Sequence, residues 1–210
     1  MLNRSTRPTA NCKSNYRFLN LLFLAMLALP VSGRADKFFL ILDPYFYRSP
    51  LILPVDGTKE TVFAFYRAVD DETLASAKPQ ELSDEEQTAV KRRTASHAQQ
   101  LLEMVKPEIF RDPHGVITAI RIHSSDPTLS GILLLPDIGN HYANLLGPDC
   151  YFAVPNRQTV LFFPRLASNI QSFSPLVHSL YHNNPWPIST EIFEIADGRL
   201  RAIGHFSEEF

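Results

Sequence analysis

Proline limits this chain more than any other residue. Sixteen prolines against eight glycines are spread through 210 residues. Each proline fixes its own φ and removes a backbone donor, so the chain must turn often and run through rigid loops. In the stretch 36–56 (DKFFLILDPYFYRSPLILPVD), a short strand is expected at Phe38–Leu42, followed by a segment bent by Pro44, Pro50 and Pro54 that lies on the core. Thr61–Val69 (TVFAFYRAV) is β-branched and aromatic and reads as a second strand.

The next element is helical. Ser83 is followed three places on by Glu86, the spacing of a capping box, and Asp84, Glu85 and Glu86 place negative charge where a helix dipole favours it. The helix is expected to run to about Val105, with Pro107 stopping it. Val116–His123 and Ile132–Leu135 read as strands, and Pro136-Asp137 opens a short helix to Leu146 that Gly147 closes. Tyr151–Val154 and Thr159–Phe163 flank a four-residue turn, PNRQ, as a hairpin. A helix is expected from Pro164 onward, with Pro175 opening its last segment and Asn183-Asn184 ending it. Thr190–Ala196 and Arg199–Gly204 flank Asp197-Gly198, the strongest hairpin signal in the chain. This order predicts an α+β fold, a mainly antiparallel β-sheet of hairpins with helices packed on it. No internal repeat or low-complexity tract interrupts 36–210, which is expected to be a single domain.

The first 35 residues differ from the rest. Arg4, Arg7, Lys13 and Arg17 form a basic region, Phe18–Leu29 is a twelve-residue apolar run, Pro30 breaks it, and the small-residue stretch VSGRA follows. This is the layout of a secretory signal peptide, with cleavage expected after Ala35. A helix of that apolar run would reach about 18 Å against a hydrocarbon core of roughly 30 Å, so contact with the membrane is expected only during export. The destination is the periplasm or the extracellular space. Cys12 leaves with the signal, and Cys150 stays as a lone thiol at the mouth of an apolar run, where a buried and inert role is expected.

With 45% apolar and 20% charged residues the chain is globular, which excludes collagen-like, low-complexity and multi-span membrane classes. Five of the 20 Lys and Arg residues and none of the 22 Asp and Glu residues precede Asp36, so 36–210 carries a net charge of −7. An acidic domain of this kind argues against nucleic acid as a partner.

All seven histidines lie after Asp36. His178 and His182 stand four apart, on one face of a helix, but outside the arc of Leu176, Val177, Leu180 and Tyr181, so a solvated face is expected for both. A metal site would need further ligands, for which Asp149 and His205 are conceivable, and no Glu follows His178 as a zinc-protease motif would require. A nucleophilic Cys150 would pair with His141, His178, His182 or His205, but it follows the acidic Asp149, which raises a thiol pKa. The chain has no GxSxG elbow, GxGxxG or phosphate loop. Asp70-Asp71 and Glu208-Glu209 read as solvated loop and tail. Arg157 on a hairpin tip and Trp186 in the rigid NNPWP turn are the most plausible residues for binding a partner, although for Trp186 burial against the sheet is the favoured account.

Val154–Phe163 (VPNRQTVLFF) and Pro187–Ile203 (PISTEIFEIADGRLRAI) carry a resemblance. A Val-Pro turn enters an apolar strand, a helix follows, and a Pro-Ile-Ser entry leads into a hairpin closed near Gly-x-Leu. The matching positions are Val154, Pro155, Val160, Leu161, Pro187, Ile188, Gly198 and Leu200. In these residues, and in the aromatic strand before a long polar helix at Val62–Val105, the chain resembles the uncharacterised bacterial YtpQ-like family, a domain of unknown function. The resemblance implies a fold and carries no activity, cofactor or catalytic residue. This chain differs from those relatives in its export signal.

The reading that follows is an exported, non-catalytic module that binds another protein of the periplasm or cell envelope, with no cofactor and no metal. Two alternatives stand beside it. One is a hydrolase or metal-dependent enzyme using His178 and His182 with a carboxylate or Cys150. The other is a small-ligand binder with a pocket between helices and sheet.

Overall fold

Runs of β-branched and aromatic residues pair into two antiparallel sheets, as the hairpin signals require. The computed structural model describes residues 37–70, 73–167 and 169–208; the expected signal peptide, 1–35, lies outside the described residues. One sheet holds β1 (Phe38–Pro44), β2 (Ile52–Pro54), β3 (Thr61–Ala68) and β4 (Leu74–Ser76). Its central strand is β3, paired with β1 along its whole length and with β2 and β4 at its two ends. The other sheet holds β5 (Glu108–Arg111), β6 (Ile117–His123), β7 (Tyr151–Asn156), β8 (Thr159–Phe163), β9 (Glu191–Ala196) and β10 (Arg199–His205), in the order β10-β9-β7-β8-β6-β5. With α1 (Asp84–Met104), α2 (Ala143–Leu146) and α3 (Ser174–His182) packed on these sheets, the fold is α+β. Among the described residues no helix is long and apolar enough to cross a membrane.

Alternation along the strands decides where the core sits. Leu40, Leu42, Phe63 and Phe65 of the first sheet share one core with Ile120, Ile122, Phe152, Val160, Phe162 and Phe193 of the second. Val90, Ala98 and Leu102 of α1 close this core. The intervening residues Ala119, Leu161, Phe163 and Ile192 face a second core, covered by Val177 of α3 and by Phe206. Strand β8 is therefore buried on both faces, which is why TVLFF reads as an unbroken apolar run. The two sheets are also joined through the backbone: Ala202 N–H donates to the Asp56 carbonyl at 2.8 Å. Gly57 follows with φ +79°, and a Cβ there would stand 2.3 Å from the Ala202 carbonyl oxygen.

Ser83 opens α1 as its sequence demands: its Oγ accepts from Glu86 N–H at 3.3 Å, and its own N–H donates to Glu86 Oε2 at 2.8 Å. The Asp197-Gly198 turn closes β9 and β10 with positive φ at both residues, the geometry that favours Asp-Gly. Other expectations need correction. The strand expected at Ile132–Leu135 is instead a 3₁₀ helix, Leu129–Leu134, with Leu129 to Leu133 buried on all sides. Gly131 lets it approach α1 so closely that a Cβ would meet Thr94 Cγ2 at 2.7 Å. Pro107 ends α1 but is followed by the unanticipated edge strand β5. The helix expected from Pro164 begins only at Ser174, after a 3₁₀ turn at Ile170–Phe173. Finally, β7 continues through Pro155 to Asn156, and the hairpin turn is the pair Arg157-Gln158. A register shift between Ala153 and Asn156 absorbs the proline that cannot donate to the ladder.

That irregularity in β7 leaves backbone groups free for another segment. Ile188 N–H donates to the Pro155 carbonyl at 2.9 Å, Ser189 N–H to Val154 at 3.2 Å and Arg157 N–H to Trp186 at 3.2 Å. The segment 184–189 is thereby strapped along the end of β7, which positions both sites described next.

Candidate functional site

Pro44 ends β1, and the next three residues, Tyr45, Phe46 and Tyr47, form a single 3₁₀ turn with all three aromatic side chains exposed. Arg48 ends this turn in the left-handed region (φ 51°), its N–H donating to the Tyr45 carbonyl at 2.9 Å. Tyr45 N–H in turn donates to the Glu60 carbonyl at 2.7 Å, tying the turn to the loop before β3. Between this turn, α3 and the strap lies a pocket of about 600 Å³. Tyr45, Phe46 and Tyr181 give it aromatic walls, Arg48 and Lys59 positive charge, Glu60 and Glu208 negative charge, and Ser189 and Thr190 hydroxyl groups. Burial pushes the Tyr181 phenol above its ordinary pKa, helped by Tyr47 and Glu60, so it remains a proton donor at neutral pH.

His178 also lines this pocket. Its side chain is only 15% exposed, whereas His182 is 59% exposed. The expected solvated face therefore describes His182 and not His178, because the C-terminal tail folds across α3. Phe206 anchors that tail in the second core, packing on Phe163 with ring centroids 5.7 Å apart. Ser174 Oγ donates to the Ser207 carbonyl, and Ser207 N–H donates to Gln171 Oε1 at 3.1 Å. The result places Glu208 Oε1 3.7 Å from His178 Nδ1 and 3.6 Å from His182 Nε2. Asp149 and His205, the ligands conceivable from sequence, are not part of this group; Glu208 is.

Cys150 is elsewhere. Its side chain is buried, its Sγ lies 3.8 Å from the Gly147 carbonyl, and burial with the neighbouring Asp149 pushes the thiol up to about 11. A thiol held protonated in this way is a poor nucleophile.

Arg157 sits at a hairpin tip, as expected, but its side chain turns inward and is 7% exposed. Its guanidinium lies between the Tyr66 ring (4.7 Å) and the Trp186 ring (5.0 Å). Its Nη2 donates to Asp43 Oδ1 at 2.9 Å and to Tyr66 Oη at 2.9 Å, and Tyr66 O–H donates to Asp43 Oδ2 at 2.7 Å. Asp43 is fully buried. Burial is the main cause that raises the Tyr66 pKa, keeping that donor in place. Arg157 is thus a packing and charge-neutralising residue beneath the surface. Trp186, 51% exposed, is the member of the pair that meets solvent.

No protein-family model, curated protein or solved structure matches this chain. Of the pocket's residues the sequence offered His178 as a candidate ligand, while its aromatic wall, Tyr45, Phe46 and Tyr181, was not anticipated as a site, yet some signal for it exists. Three consecutive aromatics between Pro44 and Pro50 have too few neighbouring positions in which to hide. Glu208, by contrast, is brought to the histidines only by the anchoring of Phe206, which no local pattern announces.

Proposed function

We propose that this protein, exported through residues 1–35, binds a small molecule that has a flat apolar body and an ionised group. The observation that supports this is the pocket of about 600 Å³ beside α3. Its size falls in the range of small-molecule sites, and its lining of aromatic walls with a few charged groups is the usual composition of one. Arg48 and Lys59 would take an anionic group on the ligand, and Tyr45, Phe46 and Tyr181 its apolar face. The test is a ligand-observed NMR screen of small aromatic acids, with aliphatic acids as comparison. Aromatic acids are expected to bind, and Arg48→Gln and Phe46→Ala are each expected to weaken them about tenfold, the worth of one charge-assisted hydrogen bond or one good apolar contact. Absence of any binder, or hits indifferent to both substitutions, would sink the reading.

A second reading, a contact with another envelope protein, is favoured by Trp186. Its ring is half exposed yet stacked on a buried guanidinium, so little side-chain freedom is lost when a partner covers it. In cells exporting the protein, crosslinking should capture a discrete partner that Trp186→Ala loses and Phe46→Ala retains. Capture unaffected by Trp186→Ala would remove Trp186 from any interface.

A further inference from the structure

The geometry points to His178, His182 and Glu208 as a binding site for a divalent transition-metal ion of the zinc class. The three side chains offer two imidazole nitrogens and one carboxylate oxygen, all within 4.8 Å of one another. Ligands about 2.0–2.1 Å from a tetrahedral ion stand roughly 3.3 Å apart, so separations of 3.6 and 3.7 Å from Glu208 need only a small contraction. The two rings are nearly parallel, with centroids 6.0 Å apart on successive turns of α3.

The surroundings of His178 agree with that geometry. Its Nε2 faces the Phe206 carbonyl at 3.2 Å. A carbonyl only accepts, so Nε2 carries a proton, which leaves Nδ1 as the ring nitrogen able to take a metal ion. That Nδ1 is sealed from water and has no hydrogen-bond partner, while the Glu208 carboxylate oxygen stands 3.7 Å from it. An unprotonated nitrogen facing a carboxylate is unfavourable unless a proton or a metal cation stands between them, and a zinc titration distinguishes the two. The carbonyl on the opposite nitrogen is the outer-shell partner that metal-binding histidines ordinarily have. It is itself fixed, since Phe206 N–H donates to the Thr190 carbonyl at 2.9 Å and the Phe206 ring is buried. Two imidazoles with one carboxylate suit zinc, copper or nickel, whereas calcium and magnesium prefer all-oxygen sets. Three protein ligands leave a coordination position for water or another ligand, and two of the three residues, His178 and Glu208, also line the pocket. The inference stands whether or not the pocket takes an aromatic acid.

The test is a zinc titration of the full chain, purified without a histidine tag and stripped with chelator, monitored by competition with a chromophoric chelator. Copper(II) electron paramagnetic resonance reports the donor set. One equivalent of zinc is expected, with two nitrogen donors in the copper spectrum and no competition from calcium or magnesium. His182→Ala and Glu208→Gln both alter exposed side chains and should leave the fold intact by circular dichroism. Each is expected to weaken zinc by more than the roughly 10–100-fold that an outer-shell partner is worth. No stoichiometric zinc, zinc held equally well by both variants, or a preference for calcium or magnesium would each overturn the inference; a proton shared with Glu208 would then account for the arrangement.

Discussion

Asp43 is the sole ionisable residue in the apolar strand FFLILDP, and it is completely buried. Its partner, Arg157, is 114 positions away in sequence. Taking two charges out of water is costly, and their attraction offsets that cost only while both are present and their remaining lone pairs and protons are satisfied. Arg157→Ala is therefore expected to destabilise the fold by about 3–5 kcal/mol, because Asp43 stays buried and unpaired. Urea denaturation should show this, along with a blue-to-red shift of Trp186 fluorescence as the ring loses its stacking partner. The double replacement Asp43→Leu with Arg157→Met should cost far less than the single change, since no uncompensated charge remains. A single variant as stable as the wild type would mean that water reaches Asp43. Sequence reading found Arg157 and placed it on the correct turn, but as a surface contact. Hairpin tips are usually exposed, and only the folding of this tip over Asp43 and Tyr66 of the other sheet makes it an interior residue.

At the scale of elements, legibility follows sequence separation. Strand β3, helix α1 with its Ser83 cap, and the β9–β10 hairpin were all expected, because each is decided by residues within a few positions of one another. The 3₁₀ helix Leu129–Leu134 was not, since a short apolar run buried on every side has no period to read. Its placement depends on a contact that is wholly tertiary. Strand β1 pairs with β3, and its Leu40 and Leu42 N–H groups would otherwise be left at a buried edge. Leu40 N–H donates to Thr94 Oγ1 of α1 at 3.0 Å, and Leu42 N–H to Ser130 Oγ at 3.0 Å. Two hydroxyls thus occupy the place of a neighbouring strand, covering the edge and satisfying its donors. The candidate site obeys the same rule. The i,i+4 histidine pair was legible from α3 alone, whereas Glu208 and the aromatic turn Tyr45–Tyr47 belong to distant segments gathered around that helix.

At the scale of the whole molecule, most of the shifted ionisable groups among the described residues lie on the alkaline side. Burial is the first cause that raises the pKa of Tyr66 and Tyr142, and of Tyr181 as well. Burial, then Asp149, raises the Cys150 thiol from 9.0 to about 11. Each of these groups keeps its proton in the folded chain at pH values where the unfolded chain has lost it. A group whose folded pKa is raised contributes stability that is fully present below the unfolded value and is lost as pH rises through the folded one. Stability should accordingly begin to fall as pH passes 9, with Cys150 contributing a slope of at most about 1.4 kcal/mol per pH unit until pH reaches about 11. The tyrosines extend the decline above their ordinary value of 10.0. Urea midpoints measured from pH 7 to 11 should trace this limb, and Cys150→Ala should flatten its first part while leaving the tyrosine part unchanged. The opposite sign holds for Asp126. Burial would raise its pKa, but the Thr128 hydroxyl (2.6 Å) and N–H (2.8 Å), with His97 (2.9 Å), outweigh burial and lower it. Its contribution is present above the ordinary carboxylate value of 3.8 and is lost as pH falls through the lower folded value. An Asp126→Asn chain should therefore lose part of the acid limb and keep the alkaline one. An alkaline limb that steepened in Cys150→Ala would show the thiol to be ionised in the folded state, against its burial.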